Sequence, residues 1–426
     1  MTEAISVEPR EARFEGQWIR ANALPVALVI TGIVWLGPYW AWTHPAYFRL
    51  SVLFVTLAFL AALAAGCVVL TSKNVLLALL LVVLLLYFGS HRAHGVGSPS
   101  SGWLVLALLV LADDRTKKDA LLYFSVAFAI TLVPGIMVFA LSALGINMPW
   151  HYIAHPFRDN LDLLNGATPD YYREYFGSVV RNSQVFFSGR VFRLHGMYEE
   201  PGVVGTFSGL LLVADGMALR RRPHNAILLI GGLLSFSLAF YAIIYLYMLL
   251  RWPLRTLSAS ACIVVLALLT PVLQAVPLIS FLFQKRFAFS GGRLLADNRV
   301  TNLFVALYHD FWTADLPTIL FGSKVDVGLL LNTGTFSYQL IIFTYGVVGL
   351  AALIIFLVVA TISASRSKGA IILLLIFLAS VYQRPNVLML PYILVLLGGA
   401  VCLRGAWSAS GTMGPDENSA LTPQPQ

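Results

Sequence analysis

Long apolar runs separated by short charged turns dominate the chain, and their spacing predicts a polytopic helical membrane protein. Apolar stretches cover about 22–42, 47–70, 75–88, 97–112, 120–144 and 203–219. The run 225–250 has 26 residues, long for one crossing and short of two, which need about 20 each. Arg251 and Arg255 follow it, and a single crossing would place them outside. Two short helices meeting near Ser235-Phe236-Ser237 are expected instead, with the break either buried or facing a wet cavity. Further spans cover about 259–280 and 336–362, and 370–404 divides at Gln383-Arg384-Pro385-Asn386 into two short spans.

The expected fold class is therefore all-α, an integral membrane protein of about 12 transmembrane helices with two large outer loops at about 145–201 and 281–335. Residues 1–21 read as a polar cytoplasmic lead, 22–404 as one transmembrane domain, and 405–426 as a disordered cytoplasmic tail. Lys73, the run 113–119, Arg220-Arg221-Arg222, Arg366 and Lys368 mark inside turns. Pro134-Gly135 predicts a kink, and Thr168-Pro169-Asp170 a helix start, so that 170–176 is expected as a short surface helix. In the second loop Val300, Phe304, Leu307, Tyr308 and Phe311 share one helical face, with Arg299, Asn302 and His309 opposite.

Composition agrees: 58% of residues are apolar and 11% charged, against about 25% charged in soluble domains. The net charge of +8 lies largely in short loops, where it sets orientation and calls for no nucleic acid. Cys67, Cys262 and Cys402 all sit inside apolar runs, without disulfide or metal-ligand spacing.

The most informative stretch is 190–207, RVFRLHGMYEEPGVVGTF, which places charges directly before an apolar run. Each charge at bilayer depth costs about 2.5–3.5 kcal/mol on insertion scales, so this is an unusual way into a membrane. Pro201 and Gly202 turn the chain there, and Gly196 and Gly205 permit close backbone approach. Arg190, Arg193, Arg293 and Arg384 all fall on the outer side, against the orientation rule. Clustered guanidinium groups bind phosphate through paired donors, and a lipid-linked diphosphate sugar fits a charged mouth at the membrane surface. Glycosyl transfer needs a base at the acceptor hydroxyl and stabilisation of the departing diphosphate. No D-x-D motif is present to hold a metal, so arginines would take that task. Glu200 or Glu199 is the candidate base, with His309 and His195 in reserve.

Arg193-Leu194-His195-Gly196-Met197-Tyr198-Glu199-Glu200-Pro201-Gly202 resembles the R-x-x-G-x-x-x-E-P signature of O-antigen polymerases of the Wzy type and related O-antigen ligases. Ser290-Gly291-Gly292-Arg293, Phe321-Gly322 and Tyr345-Gly346-Val347-Val348-Gly349-Leu350 are similar to later family segments. The resemblance implies a glycosyltransferase of the bacterial inner membrane working at its periplasmic face; the span count puts both termini inside, and no cofactor or metal is expected. Its substrate would be an undecaprenyl-diphosphate-linked oligosaccharide, and a flippase and chain-length regulator of the same pathway would be its partners. Arg193, Gly196, Glu200, Pro201 and Arg293 carry over from the motifs. Ligases of the family place a histidine late in the second loop; here 332–340 reads NTGTFSYQL, which favours a polymerase. A ligase, or a transporter or flippase for the same lipids, are the alternatives. A transporter usually shows internal repeats, and none is evident here.

Overall fold

The computed structural model describes residues 10–42, 46–66, 70–91, 102–153, 171–181, 185–186, 191–268, 289–290, 293–294, 302–323, 338–382 and 387–404, with His44 and Val68; of these, 10–21, 42, 91, 185–186, 191, 262–268, 289–290, 293–294 and 302–303 are described by backbone alone. Helices α1 (Arg10–Trp35), α2 (Tyr39–Trp42), α3 (Ala46–Ala64), α4 (Ser72–His91), α5 (Gly102–Leu111) and α6 (Asp114–Ala143) form the first part. A small β region follows: β1 (His151–Ile153), β2 (Tyr172–Tyr175), β3 (Ser178–Arg181), β4 (Val185–Phe186) and β5 (Val191–Phe192). Then come α7 (Pro201–Ala214), α8 (Pro223–Leu234), α9 (Leu238–Arg251) and α10 (Pro253–Leu268). The hairpin β6 (Phe289–Ser290) and β7 (Arg293–Leu294) precedes α11 (Asn302–Phe311), α12 (Leu316–Phe321), α13 (Tyr338–Ala364), α14 (Lys368–Val381) and α15 (Leu390–Cys402).

The chain is a helical membrane protein. Four helices, Ala46–Ala64, Ser72–Ser90, Asp114–Ala143 and Tyr338–Ala364, are long and apolar enough to cross a bilayer, and seven shorter apolar helices accompany them. Exposed leucines on α3 and α4, such as Leu50, Leu57, Leu76 and Leu79, have the character of a lipid-facing surface. By contrast α7 and α15 are buried almost all round, which makes them the centre of the bundle. Phe207 of α7 packs on Tyr392 of α15 at 4.6 Å between ring centroids, and against Phe124 of α6 at 6.3 Å. Gly205 and Gly209, one turn apart on α7, admit Ser235 and Ser237 at one level and Ile243 of α9 at the next. Small residues four apart let helices approach closely where lipid offers no hydrophobic drive.

The break near Ser235-Phe236-Ser237 stands where the sequence puts it: α8 ends at Leu234, Phe236 has φ +46°, and α9 starts at Leu238. Ser235 and Ser237 are buried in protein, the first of the two environments that tolerate such a break.

One expectation is corrected, and three details go beyond the sequence reading. The N-terminal lead is helical from Arg10, continuous with the first apolar run. α6 runs through Pro134 as one helix. Residues 172–175 form strand β2, antiparallel to β1 and β3, where a short helix was expected. Phe176-Gly177, both at positive φ, turn the chain back into β3. That pairing outweighs the helix-start signal, whose own residues 168–170 lie outside the described ones. The apolar run after the second loop is not one straight helix either, since α13 breaks at Gly346, with φ 70° and ψ 179°.

Candidate functional site

The segment 193–201 is closely built, and its residues explain one another. Gly196 has φ +60°, a left-handed conformation that L side chains rarely adopt. A Cβ there would also press on Leu132 and on the Thr131 carbonyl of α6 at 3.3 and 3.4 Å. Gly135, one helical turn along α6, faces the same segment: a Cβ on it would lie 3.1 Å from the Gly196 Cα. Two glycines thus let the loop lie directly on α6. The Gly196 carbonyl accepts from Val179 N at 2.7 Å and Ser178 Oγ at 3.0 Å, which ties β3 to the motif. On the other side Tyr39 N donates to Met197 O at 2.8 Å.

Glu200 is the N-cap of α7 and Pro201 its first residue, so the Glu-Pro pair is a helix start, with proline where no backbone N–H is needed. It stations two adjacent carboxylates, Glu199 and Glu200, at the positive end of the buried central helix. His195 is fully buried and its Nδ1 lies 3.0 Å from the Glu199 carbonyl oxygen. Tyr172 packs edge-on against the imidazole and directs its hydroxyl to the same carbonyl at 3.5 Å. Burial, reinforced by the nearby Arg193, pushes the His195 pKa down to about 3, so the ring is neutral at neutral pH. A neutral ring with Nδ1–H bonded to a carbonyl reads as a structural brace of the turn.

Arg193 reaches across to the helix break. Its Nε donates to Ser235 O at 3.1 Å and its Nη2 to Phe236 O at 3.3 Å. Next to it Leu194 N donates to Leu234 O at 3.0 Å. The carbonyls that the break releases from helical bonding are therefore bound by the first residues of the motif.

The second loop contributes less to this centre among the described residues. Arg293 stands at the start of β7, paired through the backbone with Ser290. His309 is exposed on α11 beside Asp310, at 3.9 Å, while Phe304 and Phe311 of the same helix are buried against Phe343 of α13. The amphipathic face read from the sequence is thus the buried one, and His309 points away from it. Arg190 and Arg384 lie outside the described residues. The similar segments Phe321-Gly322 and Tyr345-Gly346, apart in sequence, come together: each glycine has positive φ, and a Cβ on either would overlap backbone of the other's strand of chain. The Tyr345 carbonyl freed by that break accepts from Tyr87 Oη at 2.7 Å.

Tyr172 and Ser178 are site-building residues the sequence left unmarked, and so is the role of the Ser235 and Phe236 carbonyls as partners of Arg193. The first two come from β2 and β3, and Tyr171-Tyr172-Arg173-Glu174-Tyr175-Phe176, with its aromatics in adjacent pairs, carries no two-residue period to mark that hairpin. Among the described residues no three His, Cys, Asp or Glu side chains gather as metal ligands would. Set against protein-family models, curated proteins and solved structures, the chain matches none.

Proposed function

We propose that this chain is a membrane glycosyltransferase that polymerises undecaprenyl-diphosphate-linked oligosaccharide repeat units at the periplasmic face of a bacterial inner membrane. The observation that carries the reading is the construction of 193–201. It holds a guanidinium at a buried helix break and two carboxylates at the start of the central helix, all within one short loop segment. Those are the two kinds of group the reaction requires. A hydroxyl oxygen of the acceptor unit attacks the anomeric carbon of the donor as the bond from that carbon to the diphosphate breaks. The hydroxyl proton passes to a carboxylate, with Glu200 the first candidate and Glu199 the second, and the negative charge stays on the lipid diphosphate. Arg193 and Arg293, with Arg190 and Arg384, would hold that diphosphate.

Orientation supports the same reading. Lys73 and Arg404 cap the last carbonyls of α13, Lys73 Nζ donating to Ser363 O at 2.7 Å and Arg404 to Ala364 O. Arg222 pairs with Asp215 just beyond the far end of α7. Basic residues collected there mark the cytoplasmic side, with both termini and about twelve crossings arranged accordingly. The motif, at the other end of α7, then faces the periplasm.

A flippase for the same lipids is the second reading, because α8–α9 and α13 are broken as transporter helices often are. At both breaks, however, freed carbonyls are already bound by the protein, by Arg193 and by Tyr87. Carbonyls that coordinate cargo would not be spent this way, so polymerisation stands first. Purified chain in liposomes, given lipid-linked repeat units, is expected to make a ladder of products. Movement of the units across the bilayer without any ladder would favour the flippase.

A further inference from the structure

Four aromatic residues surround Arg173 on one face of the small sheet. Strand alternation puts Tyr171, Arg173 and Tyr175 on the same side of β2, and the register places Tyr152 directly opposite Arg173, with Trp150 two residues before it. Trp150, Tyr152 and Tyr171 touch one another and form a deck, while Tyr175 packs against the buried cluster of Val138, Val180 and Phe192. Trp150 and Tyr171 are nearly parallel, 18° between planes and 6.2 Å between centroids, and Tyr152 adjoins Tyr171 at 5.6 Å. The Arg173 guanidinium lies across both, its Cζ 4.9 Å from the centre of Trp150 and 5.8 Å from that of Tyr171. Trp150 is 43% exposed and Tyr152 56% exposed, so the deck is open to its surroundings. On the same face Val180, directly opposite Arg173, is buried with Val138 and Phe192, so this face is covered at β3 and open at β1.

We propose that this deck is a binding subsite for the sugar rings of the glycan, separate from the reacting centre. This rests on the polymerase reading above, which puts the sheet on the side where the glycan lies. A pyranose presents a face of C–H groups that packs on the electron-rich face of an aromatic ring, and its equatorial hydroxyls reach polar groups at the rim. Here Tyr hydroxyls and the guanidinium supply that rim, and a carboxylate on an acidic sugar would add a charge-assisted bond to Arg173. Continuity favours this occupant over lipid. β2 turns its other face to the motif through Tyr172, whose ring meets His195 and whose hydroxyl reaches Glu199 O. One strand therefore carries the deck on one side and braces the catalytic turn on the other, so a chain leaving the site can run onto the deck. An interfacial belt that merely anchors the loop in headgroups is the competing role for tryptophan and tyrosine.

The test uses the full chain in nanodiscs and a soluble probe, the oligosaccharide freed by mild acid from the native strain's lipid-linked pool. Binding is expected to weaken roughly tenfold or more in Trp150→Ala/Tyr152→Ala, because each ring contact is worth a few-fold. Trp150→Leu, which keeps apolar bulk without a ring, should also lose affinity, while Phe176→Ala at the nearby turn should not. Trp150 fluorescence, taken as the difference from Trp150→Phe, should be insensitive to brominated lipids. Unchanged binding in the double variant, no binding by the unaltered chain, or strong quenching by brominated lipid would each overturn the subsite. A ladder from lipid-linked units alongside any of these leaves the polymerase reading intact. Binding of the probe through Trp150 and Tyr152 without a ladder would instead keep the subsite and remove the polymerase.

Discussion

Gly322, which closes the short helix α12, lies backbone to backbone against Gly346, the residue at which α13 breaks, and Ser323 N donates to Phe343 O at 2.7 Å beside them. Both glycines hold positive φ, 94° and 70°. The contact joins the end of the second loop to a span that also packs on α4, where Phe88 stacks on Tyr345 at 4.1 Å.

Alanine at Gly346 must adopt φ 70° with ψ 179°, a region held almost only by glycine and costing about 1–3 kcal/mol, and must push its Cβ into the Leu320 carbonyl. Gly66 has a similar φ of +68° but open space where a Cβ would go. Thermal unfolding of the detergent-solubilised chain should therefore fall more for Gly346→Ala than for Gly66→Ala. Equal shifts would mean that the contact with Leu320 contributes nothing.

Arg193 has a structural duty beside any role in catalysis. Removing its guanidinium leaves the Ser235 and Phe236 carbonyls without these donors, and hydrogen bonds to charged groups contribute about 1.5–3 kcal/mol each. Arg193→Ala should lose both polymer and thermal stability, and Arg193→Lys should recover little of either, because an ammonium cannot span two carbonyls as the fork does. Full activity in Arg193→Lys would exclude the bidentate role at the diphosphate as well.

His195 gives the fold a pH dependence with a definite sign. Its folded pKa of about 3 lies below the ordinary value of 6.5, so the unfolded chain binds the extra proton in between. The stabilisation is complete above pH 6.5 and declines as pH falls towards 3. Between pH 7 and 4.5 the melting temperature should drop less steeply in His195→Asn, whose amide can still donate to Glu199 O. Parallel curves would show that the imidazole is not buried neutral.

Topology follows from the break at 235–237. A reporter fused after Arg255 should read cytoplasmic and one fused after Trp312 periplasmic. Reversal at Arg255 would make 225–250 a single crossing and separate the two loops across the membrane.

That break is legible in the sequence because run length and the flanking arginines leave no other arrangement for 225–250. The Glu-Pro helix start and the need for Gly196 are legible too, since both are local backbone requirements. The break at Gly346 is not: it sits in an unbroken apolar run and is fixed by a contact with Gly322, 24 positions earlier. Strand β2 was hidden differently. The helix-start signal at 168–170 met no competing alternation in 171–176, where aromatics stand in adjacent pairs, and pairing with β1 and β3, invisible locally, decided it. The partners of Arg193 come from 42 and 43 residues away, so an arginine suited to phosphate gave no sign of its carbonyl contacts.

The central claim is that a carboxylate at the start of α7 removes the acceptor proton while arginines, not a metal, receive the diphosphate. The direct measurement is single-turnover polymer formation by purified chain from radiolabelled lipid-linked repeat units, in excess chelator, with Glu200→Gln and Glu199→Gln alongside. The unaltered chain is expected to yield the ladder in chelator, and Glu200→Gln to lose about 100-fold or more in rate at unchanged thermal stability, the scale of a missing general base. Glu199→Gln should lose far less. A ladder that vanishes in chelator and returns with magnesium or manganese would contradict the account, as would full activity in both glutamine variants.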